Sequence, residues 1–285
     1  MSMPVETIIT NEPDETLSES GFYWRERSGV KMLVSARLEQ AGFANGFSTR
    51  LGGVSPFPEN SLNLAGYDED SAENIEENRR RFLSLFDHEF VLATVWQVHG
   101  DGIKDVRTLD EARNGNDKFD AVVSATPDIL VGVKTADCVP VLIADPVGKS
   151  FAAVHAGWRG TAAAIVAKAV RNLSGEYGAK PENMLAAIGP AATCRSYEIG
   201  REVMDAFSEN FADSGKYFTA TREGHALVDL HAANRDQLVA EGLIEENVQT
   251  APFCTMERTD LFFSYRVEKA KFGKTGRLLS VIGRM

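Results

Sequence analysis

Three apolar runs, Leu130–Lys134, Val139–Ala144 and Phe151–His155, follow one another with only Thr135–Cys138 and Asp145–Ser150 between them. A parallel crossover needs about a dozen residues or more. Consecutive members of this series are therefore expected to pair antiparallel, which argues against a doubly wound parallel sheet. Further strand-like runs lie at Val91–Val98, Asp120–Ser124, Leu185–Ile188 and Leu278–Ile282, each bounded by Gly, Pro, Asp or Asn. Helical patterns alternate with them, so the expected class is α+β: mixed β-sheets with antiparallel hairpins, and helices packed on the outside.

Among the helices, Ala162, Ile165, Val166, Ala169, Val170 and Leu173 recur at helical spacing, with Thr161 as the candidate N-cap. Ser71–Phe86 repeats the pattern, and Glu76 and Glu77 are spaced to pair with Arg80 and Arg81 at i,i+4. Two more helices are expected at Arg201–Phe211 and Leu230–Glu241. No repeat, low-complexity tract or linker divides the 285 residues, so one domain over 21–285 is expected after a flexible tail, 1–20. That tail is polar and acidic, without the cationic start and apolar segment of a signal peptide.

A net charge of −11 and a pI near 5.0 oppose general binding to nucleic acid, which rests on Lys and Arg displacing counterions. No run approaches the roughly 18–20 apolar residues that cross a membrane. The expectation is a soluble, cytoplasmic protein with no nucleic acid, membrane or obligate protein partner. Its three cysteines, Cys138, Cys194 and Cys254, make no disulfide framework. Cys194 and Cys254 read as small buried hydrophobes.

Cys138 reads differently because of its company. Gln97-Val98-His99-Gly100, Ala136-Asp137-Cys138-Val139-Pro140 and Val154-His155-Ala156-Gly157-Trp158-Arg159-Gly160 each place one His or Cys where a strand leaves its sheet. The Asp145-Pro146-Val147-Gly148 turn would set two of these strands side by side, with Cys138 opposite His155. His99, Cys138 and His155 together are the ligand set of a Zn²⁺ site with an open fourth position. A thiolate nucleophile activated by a neighbouring His uses the same elements. A lone His is more often a satisfied polar residue, and His88, His225 and His231 read as surface or structural.

Gly157–Thr161 runs into a helix, where unpaired N–H groups and Arg159 would favour an anion. The turn Thr49–Ser55 brings Arg50 and two glycines to a second potential anion contact. Asp260–Arg266 reads as a core strand ending in a salt bridge.

The ordered set T-R-x-G-G-V-S at Thr49–Ser55, N-L at Asn63-Leu64, Q-V-H-G at Gln97–Gly100, A-D-C-x-P at Ala136–Pro140, V-H-A-G-W-R-G-T at Val154–Thr161, I-G-P at Ile188–Pro190, Y-E-I-G at Tyr197–Gly200, D-L-x-x-x-N-x-x-Q-L at Asp229–Leu238 and F-F-S-Y-R at Phe262–Arg266 resembles the YfiH-type laccase-domain family. The chain departs from that pattern at Ala191–Ser196, where the family often carries cysteines directly before the Y-E-V-G motif. The resemblance implies one α+β domain binding Zn²⁺, with Cu²⁺ as the alternative, through His99, Cys138 and His155. It also implies phosphorolysis of adenosine, inosine and S-methyl-5′-thioadenosine, and hydrolytic deamination of adenosine. Gln97 and Asn63 are expected at the substrate, and Arg50 and Arg159 at the phosphate, because guanidinium forks match its oxygens. Copper polyphenol oxidation and Cys–His hydrolysis of peptidoglycan precursors are the alternative activities.

Overall fold

A computed structural model describes residues 14–66 and 70–285. Its strands in chain order are β1 Phe22–Arg27, β2 Val30–Ser35, β3 Ala44–Ser48, β4 Ser55–Pro56, β5 Glu59–Ser61, β6 Val91–Ala93, β7 Ile103–Asp105, β8 Ala121–Ser124, β9 Ile129–Thr135, β10 Val139–Ala144, β11 Phe151–Ala156, β12 Leu185–Ile188, β13 Glu198–Gly200, β14 Phe218–Arg222, β15 His225–Val228, β16 Val248–Thr250 and β17 Leu278–Gly283. The helices are α1 Asp14–Glu19, α2 Ala36–Gln40, α3 Ala72–Leu83, α4 Leu109–Ala112, α5 Trp158–Ala162, α6 Ile165–Tyr177, α7 Arg201–Asn210, α8 Leu230–Ala240 and α9 Tyr265–Phe272.

Two six-stranded mixed sheets carry the fold, in the orders β1-β2-β3-β17-β9-β6 and β16-β12-β10-β11-β8-β7. They pack face to face. Val131, Val133 and Ile282 of the first sheet share one core with Leu142, Ala144, Phe151 and Ala153 of the second. On the second sheet's outer face, Val139, Val141, Ile143 and Val154 meet Ile165, Val166, Ala169 and Val170 of α6. On the first sheet's outer face, Met32, Leu130 and Val281 meet Phe82 of α3. The result is helix, sheet, sheet, helix. Because the central strands are covered on both faces, all six residues of β10 and of β11 are buried, so these strands read as unbroken apolar runs rather than alternating ones.

Short connections predict one antiparallel series, and this holds for β10 with β11 but not for β9 with β10. β9 pairs with β17 and β6 in the first sheet, and β10 lies in the second. The Thr135–Cys138 link is too short for a parallel crossover within one sheet, yet it is long enough to step between two facing sheets. Asp137 makes that step with φ +84, a left-handed conformation costly for a residue with a Cβ.

Other expectations are corrected locally. The strand expected over Val91–Val98 ends at Ala93; Trp96 then makes only an isolated bridge to Lys118, and Trp96 and Val98 are exposed. Thr161 is not an N-cap. Gly157 begins the short α5, Ala164 breaks the helix at φ +59, and the Thr161 hydroxyl is buried, accepting from Asn234 Nδ2 at 3.0 Å. Glu77 alone takes both Arg80 and Arg81, at 2.7 Å each. Asp260–Ser264 forms no strand: Phe262 and Phe263 are buried in irregular chain, Ser264 caps α9, and the Arg266 guanidinium meets the Glu198 carbonyl rather than a carboxylate. Part of the expected tail, Asp14–Glu19, is helical with Leu17 buried; its first thirteen positions lie outside the described residues. Cys254 is buried as expected, whereas Cys194 is exposed. Among the described residues no helix is long and apolar enough to cross a membrane.

Candidate metal centre

The antiparallel register places Val139 against Ala156 and Pro140 against His155, so Cys138, one step before β10, lies beside His155 near the end of β11. His99 comes from the loop between β6 and β7. It occupies a left-handed turn, φ +59, rather than the strand end that its sequence neighbours suggest. One ligand atom from each of the three side chains lies within 4.8 Å of the others. The two imidazoles meet edge to face, centroids 4.9 Å apart and planes at 81°. His155 is buried and His99 is exposed, so the cluster opens to solvent on the His99 side.

Asp120 holds this geometry. Its Oδ1 accepts His155 Nδ1–H at 2.8 Å and His99 N–H at 2.9 Å, while Oδ2 accepts Gly100 N–H at 2.7 Å and Val98 N–H at 3.3 Å. The His155 backbone N–H also donates to the Asp120 carbonyl at 2.8 Å. One fully buried carboxylate thus fixes the left-handed His99 turn and the His155 ring together. It leaves His155 Nε2 as the nitrogen that faces the cluster, the usual arrangement for a metal-ligating imidazole whose other nitrogen meets a carboxylate. Burial opposes the Asp120 charge, but the bonds from His155 and Gly100 hold its carboxyl below the ordinary range. Nothing in the sequence pattern singles out Asp120 except that an acid opening an apolar strand must find partners when buried.

Asp137 steadies the opposite side. Its carboxylate accepts from Thr255 Oγ1 at 2.7 Å, Ser264 Oγ at 3.0 Å and Arg266 N–H at 2.7 Å, and its carbonyl accepts Ala192 N–H. These bonds compensate the strained backbone that aims Cys138. Gly157 completes the pocket. A Cβ there would sit 3.0 Å from Cys138 Sγ and 3.4 Å from His99 Cδ2, although its φ of −68 suits any residue. Gly157→Ala is therefore expected to keep the fold, with an unchanged circular dichroism spectrum, and to weaken metal retention in a chelator competition. Undiminished retention would show that the thiol has room to spare.

The donors suit a divalent metal. Burial opposes ionisation of the Cys138 thiol, but the His155 charge and hydrogen bonds from His155 and His99 bring it down to about 6. Burial likewise opposes the His155 charge, and Cys138 and Asp120 outweigh it. Thiolate is thus the favoured form at neutral pH. Zn–N bonds of about 2.0–2.1 Å and a Zn–S bond of about 2.3 Å put tetrahedral ligand atoms about 3.3–3.6 Å apart, inside the 4.8 Å that bounds the separations here.

Of the other expected site residues, Gln97 is a positioning group: its amide donates to the Lys134 carbonyl and accepts the Lys134 N–H, at 2.7 and 2.8 Å, tying the His99 loop to β9. The Asn63 side chain accepts Ala65 and Arg277 N–H groups through Oδ1 and is buried, which gives it a turn-forming role. Arg50 turns inward. Its guanidinium is buried against Glu268 at 2.9 Å, the Thr259 carbonyl at 2.5 Å and the Phe263 ring at 4.7 Å, leaving its fork committed inside the protein. Arg159 is exposed beside Gly157, lying over Trp158 and 3.0 Å from Glu202. His88 meets Asp128, His225 the Glu223 carbonyl and the buried His231 the Gly189 carbonyl.

Residues 44–285 match the family model described as multi-copper polyphenol oxidoreductase laccase. The chain is 36% identical over 252 residues to "Purine nucleoside phosphorylase YfiH" of Escherichia coli, spanning 88% of this chain and 98% of that protein. It is 35% identical over 248 residues to "Purine nucleoside phosphorylase" of Staphylococcus epidermidis, spanning 84% and 90%. Among solved structures, the YfiH protein of Bacillus licheniformis superposes with a TM-score of 0.84 at 29% identity, covering 93% of this chain and 99% of that one. YlmD from Geobacillus stearothermophilus superposes equally, at 30% identity over 93% and 98%. With the α+β fold, the motifs and these matches in agreement, the chain belongs to the YfiH-type laccase-domain family.

Proposed function

We infer that this chain is a metal-dependent purine nucleoside enzyme: it splits adenosine, inosine and S-methyl-5′-thioadenosine with phosphate into base and sugar 1-phosphate, and it also deaminates adenosine. The observation that carries this reading is the convergence of His99, Cys138 and His155 in a chain aligned along nearly the whole length of relatives named purine nucleoside phosphorylase. Zn²⁺ suits the His₂Cys donors, with Cu²⁺ as the alternative. When bound, such an ion supplies Lewis acidity at an open coordination position. Asp120 keeps the His155 ring fixed, Gly157 leaves the space in front of the thiolate, and the exposed His99 side admits substrate. Arg159 follows Gly157 by two residues, and its ion pair with Glu202 is exposed on both sides, so an anion can compete for the fork at little cost. A thiolate-bearing site of this kind suits the reducing cytoplasm.

Chromatography of adenosine and inosine reactions with and without phosphate tests the proposal. Base and ribose 1-phosphate are expected only with phosphate, and inosine from adenosine in either buffer; no phosphate-dependent base release would overturn the phosphorylase assignment. In Arg159→Lys, which keeps charge but loses the fork, the phosphate KM is expected to rise about fivefold to tenfold with unchanged metal content.

Cys138, His155 and Asp120 also stand in the order of a thiol hydrolase triad, which favours peptidoglycan-precursor hydrolysis as a second reading. Turnover of such precursors by metal-stripped protein, with nucleosides untouched, would select it. Polyphenol oxidation has the family model's description behind it but not the site: among the described residues the histidines outside the cluster are engaged elsewhere.

A further inference from the structure

With Arg50 committed to Glu268, an anion drawn to the exposed Arg159 would need its second cationic partner from elsewhere beside the triad. Arg266 has the required placement. Its backbone N–H donates to Asp137 Oδ2 at 2.7 Å, which sets it next to the residue preceding Cys138. Its guanidinium carbon lies 5.0 Å from the centroid of the Tyr197 ring, and Nη1 donates to the Glu198 carbonyl at 3.0 Å. No carboxylate pairs with this guanidinium among the described residues, whereas Arg50 and Arg159 each have one. The fork is thus engaged by the Glu198 carbonyl and the Tyr197 hydroxyl, and its other N–H groups have no carboxylate partner to displace. Tyr197 packs under Arg266 and is near enough to Cys138 to feel its charge. Burial raises its phenol, the Cys138 charge adds to the rise and Arg266 opposes it, so the hydroxyl remains a neutral donor at physiological pH.

We propose that Arg266 and Tyr197 form the anion-holding wall of the triad site, with the Arg266 fork and the Tyr197 hydroxyl donating to the oxygens of an inorganic phosphate dianion. The proposal rests on the phosphorylase reading for the identity of the anion and names the residues that receive it. Arg266 is preorganised for this role. The ring and the Glu198 carbonyl hold its fork in place, which limits the side-chain entropy lost on binding. Its contact with Asp137 runs through the main chain, so a side-chain substitution leaves that bond and the turn that aims Cys138 in place.

The test measures phosphate binding directly, by the rise in melting temperature of the metal-loaded protein over a phosphate titration, for wild type, Arg266→Gln, Arg266→Lys and Tyr197→Phe. The phosphate needed for half the rise is expected to increase about tenfold in Arg266→Gln and less in Tyr197→Phe, with Arg266→Lys intermediate and metal content equal in all four. A half-rise concentration in Arg266→Gln and Tyr197→Phe equal to that of wild type, or no phosphate response in wild type, overturns the proposal. Should wild type bind phosphate through these residues yet release no purine base, the phosphorylase reading fails and the anion wall stands. Base release that depends on phosphate but is indifferent to both variants has the opposite meaning.

Discussion

Cys138→Ala is expected to fold, to lose its bound divalent metal and to turn over nucleosides on the order of 1,000-fold more slowly, because a bound ion contributes several kcal/mol of transition-state stabilisation and each 1.36 kcal/mol is a factor of about ten. The side chain removed is small and only partly buried. Its backbone stays anchored through Asp137, whose three side-chain bonds do not involve the thiol. Folding and metal content are therefore separable, the first followed by circular dichroism and the second by elemental analysis. Metal content equal to wild type would remove Cys138 from the ligand set. If activity were then lost all the same, the thiol would be a nucleophile and the hydrolase reading would gain. His88→Ala is the matched control, since His88 meets Asp128 and has no part in the cluster, and it should retain metal.

The parts of this molecule legible in the sequence are those set by local pattern. β10 and β11 stand where their apolar runs and the Asp145–Gly148 turn put them, with Cys138 brought to His155 as the hairpin requires. α7 and α8 end within a residue of the periodic patterns that mark them. What the sequence does not reveal is set by long-range partners. Whether the link after Thr135 turns back into its own sheet or steps to a second one depends on β17, more than a hundred residues later, which takes the place beside β9. Arg50 looks like an anion contact because its turn is glycine-rich, but Glu268 and the carbonyls of the Thr259–Phe262 segment claim it. Arg266 reads as the end of a buried strand until α9 and Asp137 place it beside the triad. In both cases, where the charge goes depends on a partner the local sequence does not contain.

Asp120→Asn is the sharpest test of how the site is organised, because it keeps the shape of the side chain while removing its charge and turning one acceptor into a donor. The native carboxylate accepts on both oxygens, from His155 and His99 on one side and from Gly100 and Val98 on the other. An amide can accept on one side only. If its carbonyl faces Gly100 and Val98, its NH₂ opposes the His99 N–H and donates to His155 Nδ1, and the ring proton moves to Nε2, where it blocks the ligand lone pair. If it faces His155 instead, the NH₂ opposes two backbone N–H donors, and leaving such buried groups unpaired costs about 1–3 kcal/mol in the turn that holds His99 at positive φ. Both outcomes weaken the same metal. We expect affinity to fall about 10- to 100-fold, the range for losing the outer partner of a ligating His, while the rest of the fold, built on cores that Asp120 does not enter, stays intact. Chelator competition reads the affinity, and ¹⁵N chemical shifts of the imidazoles in metal-free protein, taken at alkaline pH where His155 is neutral, read the tautomer. Affinity equal to wild type, with the His155 proton moved to Nε2, would mean that His155 is not a ligand; with the proton still on Nδ1, it would mean that the carboxylate's charge does nothing a neutral amide cannot.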